Sequence, residues 1–292
     1  MCEFSLLTVA LNPGDKLRGT LESALMQTYK DFELIIKDGG STDGSLEAVA
    51  DLLADPRIRV ITKKDTGIYD AMNQAVQEAT GKYVYFLNCG DKLYDETVLE
   101  KVAGEMKRLT ASKDGGEVST ANATSQTDGK ASQTRGERLI VYGNVLWKEK
   151  QALVAPPAKI TGFTCYRNVP CHQACFYDVG LCKEKPFETE YKIRGDYEHF
   201  LWCHYVGKAR EVYVNLTVAE YEGGGFSESK KNVERSKREH RVITKKYMSS
   251  AELFKYRTIM ALTLAPLRTW ISENPKVSGA YYRLVAKFYR KR

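Results

Sequence analysis

The first hundred residues alternate between short apolar runs and amphipathic stretches, and this constrains the fold more than any other feature of the chain. Phe4–Leu11, Phe32–Lys37, Ile58–Thr62 and Tyr83–Leu87 are runs rich in apolar, β-branched and aromatic residues, which predicts strands. Between them, Leu17, Leu21, Ala24 and Leu25, then Leu46, Val49, Ala50 and Leu53, then Ile68, Ala71, Met72, Ala75, Val76 and Ala79 recur at helical spacing. Strands alternating with helices predict an α/β fold, a parallel sheet wrapped by helices. In such a sheet ligands bind beyond the carboxyl ends of the strands. Four turns gather there, at 11–15, 38–44, 63–67 and 88–91.

Two of these turns carry a carboxylate suited to chemistry. Asp38 follows the second strand, where it can accept a hydrogen bond from a nucleotide base or ribose. Gly39 and Gly40 beside it let the backbone approach a ligand closely. Asp91 follows the fourth strand, where a carboxylate can hold Mg2+ or Mn2+ together with diphosphate oxygens and water. Taken singly, each turn is ordinary: Asp43-Gly44 is common turn chemistry, and Ser41-Thr42-Asp43 can merely cap a helix. Several such turns in one alternating unit point to function. Neither G-x-G-x-x-G nor the phosphate-loop pattern G-x-x-x-x-G-K-[ST] occurs, which counts against a dinucleotide fold or a P-loop.

The remainder is less regular. Residues 97–109 predict a helix. Residues 110–137 are Ser, Thr, Gly, Ala, Gln and charges, with Val118 as the one sizeable apolar side chain. That composition cannot offset its ordering entropy, so a mobile surface insertion is expected, either passive or an acceptor-binding lid. Leu139–Trp147, Ala174–Tyr177 and Glu211–Tyr221 are strand-like, and a helix opens at Gly195-Asp196 and runs to about Tyr205. Gly223-Gly224-Gly225 is a hinge-like break. A charged helix over 227–246 and two or three further helices are expected after it. The organisation is thus one domain over 1–226 and a helical basic C-terminal extension over 227–292.

Charge separates these parts. From Arg235 to Arg292 there are 15 Lys/Arg and 3 Asp/Glu, a net of +12; residues 1–234 hold 29 and 34, a net of −5. A basic tail of this kind seeks phosphate-rich partners, either anionic lipid or nucleic acid. The 43% hydrophobic content excludes wholesale disorder. No run approaches 18 apolar residues, so no membrane span is expected, nor is a signal peptide at Met1-Cys2-Glu3-Phe4. Seven cysteines, an odd number without C-x-x-C, predict reduced thiols in a cytosolic protein rather than disulfides. Cys165, Cys171, His172, Cys175 and Cys182 lack the tight spacing of a structural zinc site.

Leu25 to Ile36, followed by Asp38-Gly39-Gly40-Ser41-Thr42-Asp43-Gly44-Ser45, resembles the signature of family 2 glycosyltransferases. Asp65-Thr66-Gly67-Ile68-Tyr69-Asp70-Ala71-Met72-Asn73 and Ala79 to Asn88 strengthen the resemblance, toward the branch that builds bacterial exopolysaccharide, capsule or lipopolysaccharide sugars. It is strong over 1–100 and weaker over 139–226. It implies the GT-A fold, a Rossmann-type nucleotide-sugar-binding domain with a mixed central sheet. It also implies a nucleotide-diphosphate sugar donor, a divalent cation and a carbohydrate or polyprenyl-linked acceptor.

Carried over by position, the resemblance places Asn12 in the nucleotide pocket and Asp38 at the donor base. Gly39 stands for the second carboxylate of the family's Asp-Asp-Gly-Ser, and Asp65 joins the donor-binding residues. Asn88-Cys89-Gly90-Asp91 stands for the metal-binding Asp-x-Asp-Asp, leaving Asp91 as metal ligand with Asn88 as a neutral partner. Gly195-Asp196 stands for a Glu-Asp motif, making Asp196 the general base. Chemistry supports Asp196 independently, because sugar transfer needs a base at the attacking hydroxyl and a helix start favours an ionised carboxylate. The plainer readings are an N-cap, or Glu198 as the base instead. His172 is placed at the donor diphosphate or the acceptor, a lone His being otherwise a structural donor.

Two other functions compete. A degenerate protein that binds the nucleotide sugar without turnover fits the carboxylates missing at 39, 88 and 90. Nucleic-acid binding through the tail finds no recognisable motif. Aromatic and basic residues interleaved after Arg235 suit a membrane surface better. The expected location is therefore cytoplasmic and peripheral on the inner face of the membrane, and a homo-oligomer is compatible with it.

Overall fold

The computed structural model describes residues 2–111, 138–223 and 230–263. Its first half follows the expected alternation: β1 (Phe4–Ala10), α1 (Lys16–Leu25), β2 (Phe32–Asp38), α2 (Ala50–Leu53), β3 (Ile58–Thr62), α3 (Ile68–Glu78), β4 (Tyr83–Phe86), β5 (Lys92–Leu93) and α4 (Val98–Ala111). Then come β6 (Leu139–Trp147), β7 (Ala152–Val154), α5 (Gly162–Arg167), β8 (Cys175–Asp178), α6 (Val179–Glu184), α7 (Gly195–Tyr205), β9 (Arg210–Tyr221), α8 (Lys230–Tyr247) and α9 (Ser250–Leu262).

Among the described residues, nine strands join one mixed sheet in the order β3-β2-β1-β4-β8-β6-β9-β5, with β7 paired to β6. β3, β2, β1 and β4 are mutually parallel, while β8 runs antiparallel to both β4 and β6. Register matters for function. Ala10 lies opposite Asp38, and Asp38 opposite Thr62, so the carboxyl ends of β1, β2 and β3 are level. The turns that follow therefore share one edge of the sheet.

The period-two alternation of the strands splits the core into two layers. Leu6, Leu34, Ile36 and Tyr85 pack with Leu17 and Leu21 of α1 and Val98 and Val102 of α4. Leu7, Ile35, Val84 and Phe86 face the opposite side, with Met72, Ala75 and Val76 of α3 and Phe200 of α7.

Some elements differ from expectation. The helix expected over 46–53 begins as a 3-10 turn at Glu47–Val49 and gives only four α-helical residues, stopped ahead of Pro56. β5, β7, α5 and α6 are two to six residues long, too short to show a periodicity.

Two compact units divide at His240/Arg241. The expected boundary at 226/227 falls outside the described residues. Of the expected insertion, residues 110 and 111 end α4 and 112–137 lie outside the described residues, as does the tail from 264. In the second unit, α9 opens with a reciprocal capping box between Ser249 and Glu252. Among the described residues no helix is long and apolar enough to cross a membrane.

Candidate active site

The turns after β1, β2 and β3 are bound to one another. Asn12, at φ +49, donates its backbone N–H to Ser41 Oγ (2.8 Å) and accepts from the Thr42 N–H through Oδ1 (2.9 Å). Gly39 N–H donates to the Ala10 carbonyl at 2.8 Å. Asp38 is buried. Its carboxylate accepts from the N–H groups of Gly40 and Ser41 and from Ser41 Oγ at 2.6 Å, so it shapes the loop from within. Asp65 closes the group: its Oδ2 accepts from the fully buried Lys37 ammonium at 2.7 Å. A Cβ added at Gly39 would meet that same oxygen at 2.9 Å. The space of the family's second carboxylate is thus taken by Asp65.

The turn after β4 is held from α1, where Thr20 Oγ1 accepts from Gly90 N–H and donates to the Asp91 carbonyl, both at 2.9 Å. Asp91 is only 4% exposed, and burial pushes its carboxyl up to about 6 despite the nearby His172. Asn88 Oδ1 is buried with no hydrogen-bond partner among the described residues. An unpartnered amide oxygen beside a buried carboxylate fits a hard cation. No group of three or more His, Cys, Asp or Glu among the described residues is arranged to hold a metal by itself. A cation here would need further oxygen ligands beside Asp91 and Asn88.

His172 joins this turn to the expected base. Asn88 Nδ2 lies 3.0 Å from His172 Nε2, and the His172 Nδ1–H donates to Asp196 Oδ2 at 3.1 Å. Asp196 is the second residue of α7, and Tyr69 Oη donates to its Oδ1 at 3.0 Å. Burial would raise the Asp196 carboxyl. The hydrogen bond and charge of His172, with the Tyr197 N–H and the Tyr69 hydroxyl, lower it below its ordinary value. For His172, burial lowers the pKa, but Asp196 and Asp91 bring it above the usual imidazole range. These contacts hold the carboxylate ionised and fix its orientation.

The plainer readings of Asp196 do not hold. The N-cap of α7 is Arg194, so Asp196 is not the cap. Glu198 is fully buried and pairs with Lys185 Nζ at 3.1 Å, which commits it elsewhere. A Cβ at Gly195 would come 2.8 Å from the Tyr69 ring, so a Glu at 195 has no room.

Four residues outside the expected set shape the site: Lys37, Tyr69, Glu222 and Glu239. Glu239 of α8 accepts from the N–H groups of Lys192, Ile193 and Arg194 at 2.9–3.0 Å and so anchors the segment leading into Asp196. Lys37 had a visible signal, a charge that directly follows the apolar run Leu34-Ile35-Ile36 of β2. The other three are joined to the site only by folding. All seven cysteines are free.

Comparison with known proteins bears on this geometry. The model of Glycosyl transferase family 2 matches residues 5–165. A relative from Mycobacterium bovis (strain BCG / Pasteur 1173P2), named PGL/p-HBAD biosynthesis glycosyltransferase, is 32% identical over 230 residues, which cover 77% of this chain and 78% of the relative. Staphylococcus aureus TarS 1–349 in complex with UDP-GlcNAc has a TM-score of 0.59 at 17% identity, covering 82% of this chain and 66% of that one. Mannosyltransferase PcManGT from Pyrobaculum calidifontis, in complex with GDP-Man and Mn2+, has a TM-score of 0.53 at 14% identity, covering 92% and 83%. These two show that the fold is GT-A, as expected. The family match spans more than half of the chain and includes the strands whose level ends build the site, so the chain belongs to glycosyl transferase family 2.

Proposed function

We propose that this glycosyltransferase moves a sugar from a nucleotide-diphosphate donor to a hydroxyl of a carbohydrate or lipid-linked acceptor, with inversion, in cell-surface polysaccharide biosynthesis. The observation that carries the reading is Asp196, whose two oxygens are separately restrained by His172 and Tyr69. As the acceptor oxygen attacks the anomeric carbon, its proton passes to Asp196. The bond from that carbon to the diphosphate oxygen breaks, and the nucleoside diphosphate leaves. One displacement with one base inverts the anomeric configuration.

Asn12, Asp38, Gly39 and Asp65 form the wall against which the nucleotide lies. Asn88 and His172 bridge from the diphosphate to the base. Asp91 would hold Mg2+ or Mn2+, whose chemistry there is to neutralise the departing diphosphate. UDP-GlcNAc in the TarS structure and GDP-Man with Mn2+ in the PcManGT structure support a nucleotide-sugar donor and a cation. The mycobacterial relative, named for a biosynthetic glycosyltransfer, supports a role in building a glycoconjugate.

The extension docks the enzyme on the cytoplasmic face of a membrane, where a polyprenyl-linked acceptor is presented. Its net charge of +12 and the exposed Phe254 and Leu262 of α9 support this. Each Lys or Arg near an anionic leaflet contributes about 1 kcal/mol.

A thermal-shift panel of nucleotide sugars with Mn2+ tests the reading. A true donor at a hundred times its dissociation constant adds about 2.7 kcal/mol of stability. No shift with any nucleotide sugar contradicts donor binding. A donor that binds and is never transferred or hydrolysed favours the degenerate binding protein.

A further inference from the structure

Gly90 stands where the family pattern carries a carboxylate, yet the space beside it is not empty. A Cβ at Gly90 would lie 2.7 Å from Glu222 Oε2 and 3.7 Å from its Cδ. Glu222 follows the last residue of β9, and the pairing of Lys92 with Glu220 brings that strand end to the β4 turn. Its backbone N–H reaches Asp91 Oδ1 at 3.4 Å, so the two acidic residues are neighbours. Lys16 Nζ, 2.7 Å from Glu222 Oε2, supplies a compensating cation on this carboxylate. The pair is 57% and 44% exposed, so it is readily exchanged. Asn88 Oδ1 remains buried and unpartnered at the same turn.

We propose that Glu222 is the second carboxylate of the cation site, supplying from the end of β9 the negative charge that position 90 lacks. Asp91 and Glu222 then bind a divalent cation together with the donor diphosphate, and Lys16 holds the place of that cation in its absence. One or two carboxylates plus substrate phosphate is the usual provision for Mg2+. The proposal rests on the nucleotide-sugar reading above. It explains why the loss of the carboxylate at 90 need not abolish metal affinity.

Mn2+ binding to the 292-residue chain, followed by electron paramagnetic resonance of the free ion with UDP and separately with GDP present, tests it without recourse to activity. Glu222→Gln is expected to weaken Mn2+ binding by at least about tenfold, the lower end of what even outer-shell partners contribute. Asp91→Asn should abolish it. Lys16→Met breaks the same ion pair but keeps the carboxylate, so it should leave Mn2+ affinity unchanged or tighten it. If Glu222→Gln binds Mn2+ like the native protein while Asp91→Asn does not, the Glu222 proposal fails and the Asp91 site stands. Equal weakening by Lys16→Met and Glu222→Gln would reduce the pair to a structural contact and also overturn it. Absence of Mn2+ binding by the native protein with either nucleotide would remove the cation reading itself.

Discussion

Tyr69 and Asp196 lie 127 residues apart in the chain and meet through a hydrogen bond of 3.0 Å from the phenol to Oδ1. The hydroxyl is also 2.9 Å from the Ile193 carbonyl, so its single hydrogen is shared between the two acceptors. The ring covers Gly195 so closely that a Cβ there would sit 2.8 Å from Cδ2 and Cε2. A glutamate at 195 and a tyrosine at 69 therefore exclude each other in this packing, and the glycine is the partner that lets the tyrosine reach Asp196.

Tyr69→Phe keeps the ring in place and removes one restraint on the carboxylate. A hydrogen bond to a charged group is worth about 1.5–3 kcal/mol, so kcat should fall roughly tenfold or more while the donor KM stays near native. Steady-state kinetics alongside a melting curve would check this. An unchanged kcat in a folded variant would show that the tyrosine does not position the base.

The Lys37–Asp65 pair predicts a stability effect. Lys37 is fully buried and Asp65 nearly so. Asp65→Asn leaves an ammonium buried without its counter-charge, which costs about 3–5 kcal/mol. The double variant Lys37→Met/Asp65→Leu should lose less than Asp65→Asn alone, because neither charge is stranded. Urea unfolding of the three proteins measures it. A double variant less stable than Asp65→Asn would contradict the pairing argument.

A pH effect follows from His199. It is 1% exposed, and burial, with the charge of Lys185 adding, pushes its imidazole from the ordinary 6.5 down to about 3. The folded state thus holds it neutral while the unfolded chain binds a proton. Its stabilising contribution is complete above pH 6.5 and is lost as pH falls from there toward 3. Between pH 7 and 5 the loss from this group is about 2 kcal/mol. His199→Gln should show a shallower fall in melting temperature over that interval. A parallel fall in both proteins would mean that His199 is not held neutral by the fold.

Much of the fold was legible because β1, β2 and β4 are buried on both faces and read as nearly continuous apolar runs, while α1 and α3 each bury one face at helical spacing. β5 and β7 leave no such trace at two and three residues, since pairing rather than side-chain pattern defines them. Candidate site residues were legible where a polar residue closes a strand, stands in the turn after one or opens a helix, as Asp38, Asp91 and Asp196 do. It was not legible where folding joins distant residues. Three glycines, at 39, 90 and 195, read in sequence as missing acidic groups. In space they are the gaps into which Asp65, Glu222 and Tyr69 project. The charge of Lys37 next to the apolar run of Phe32–Asp38 announced a buried partner, since a buried ammonium needs one.

The most direct test of the account is single-turnover transfer by Asp196→Asn, with donor binding measured on the same protein. Asn keeps the shape of the side chain and removes the proton acceptor. Transfer should fall by about a hundred to ten thousand fold, with nucleotide-sugar affinity close to native and a product of inverted anomeric configuration from the native enzyme. Transfer at the native rate by Asp196→Asn would contradict the central claim, and a product of retained configuration would contradict the single displacement.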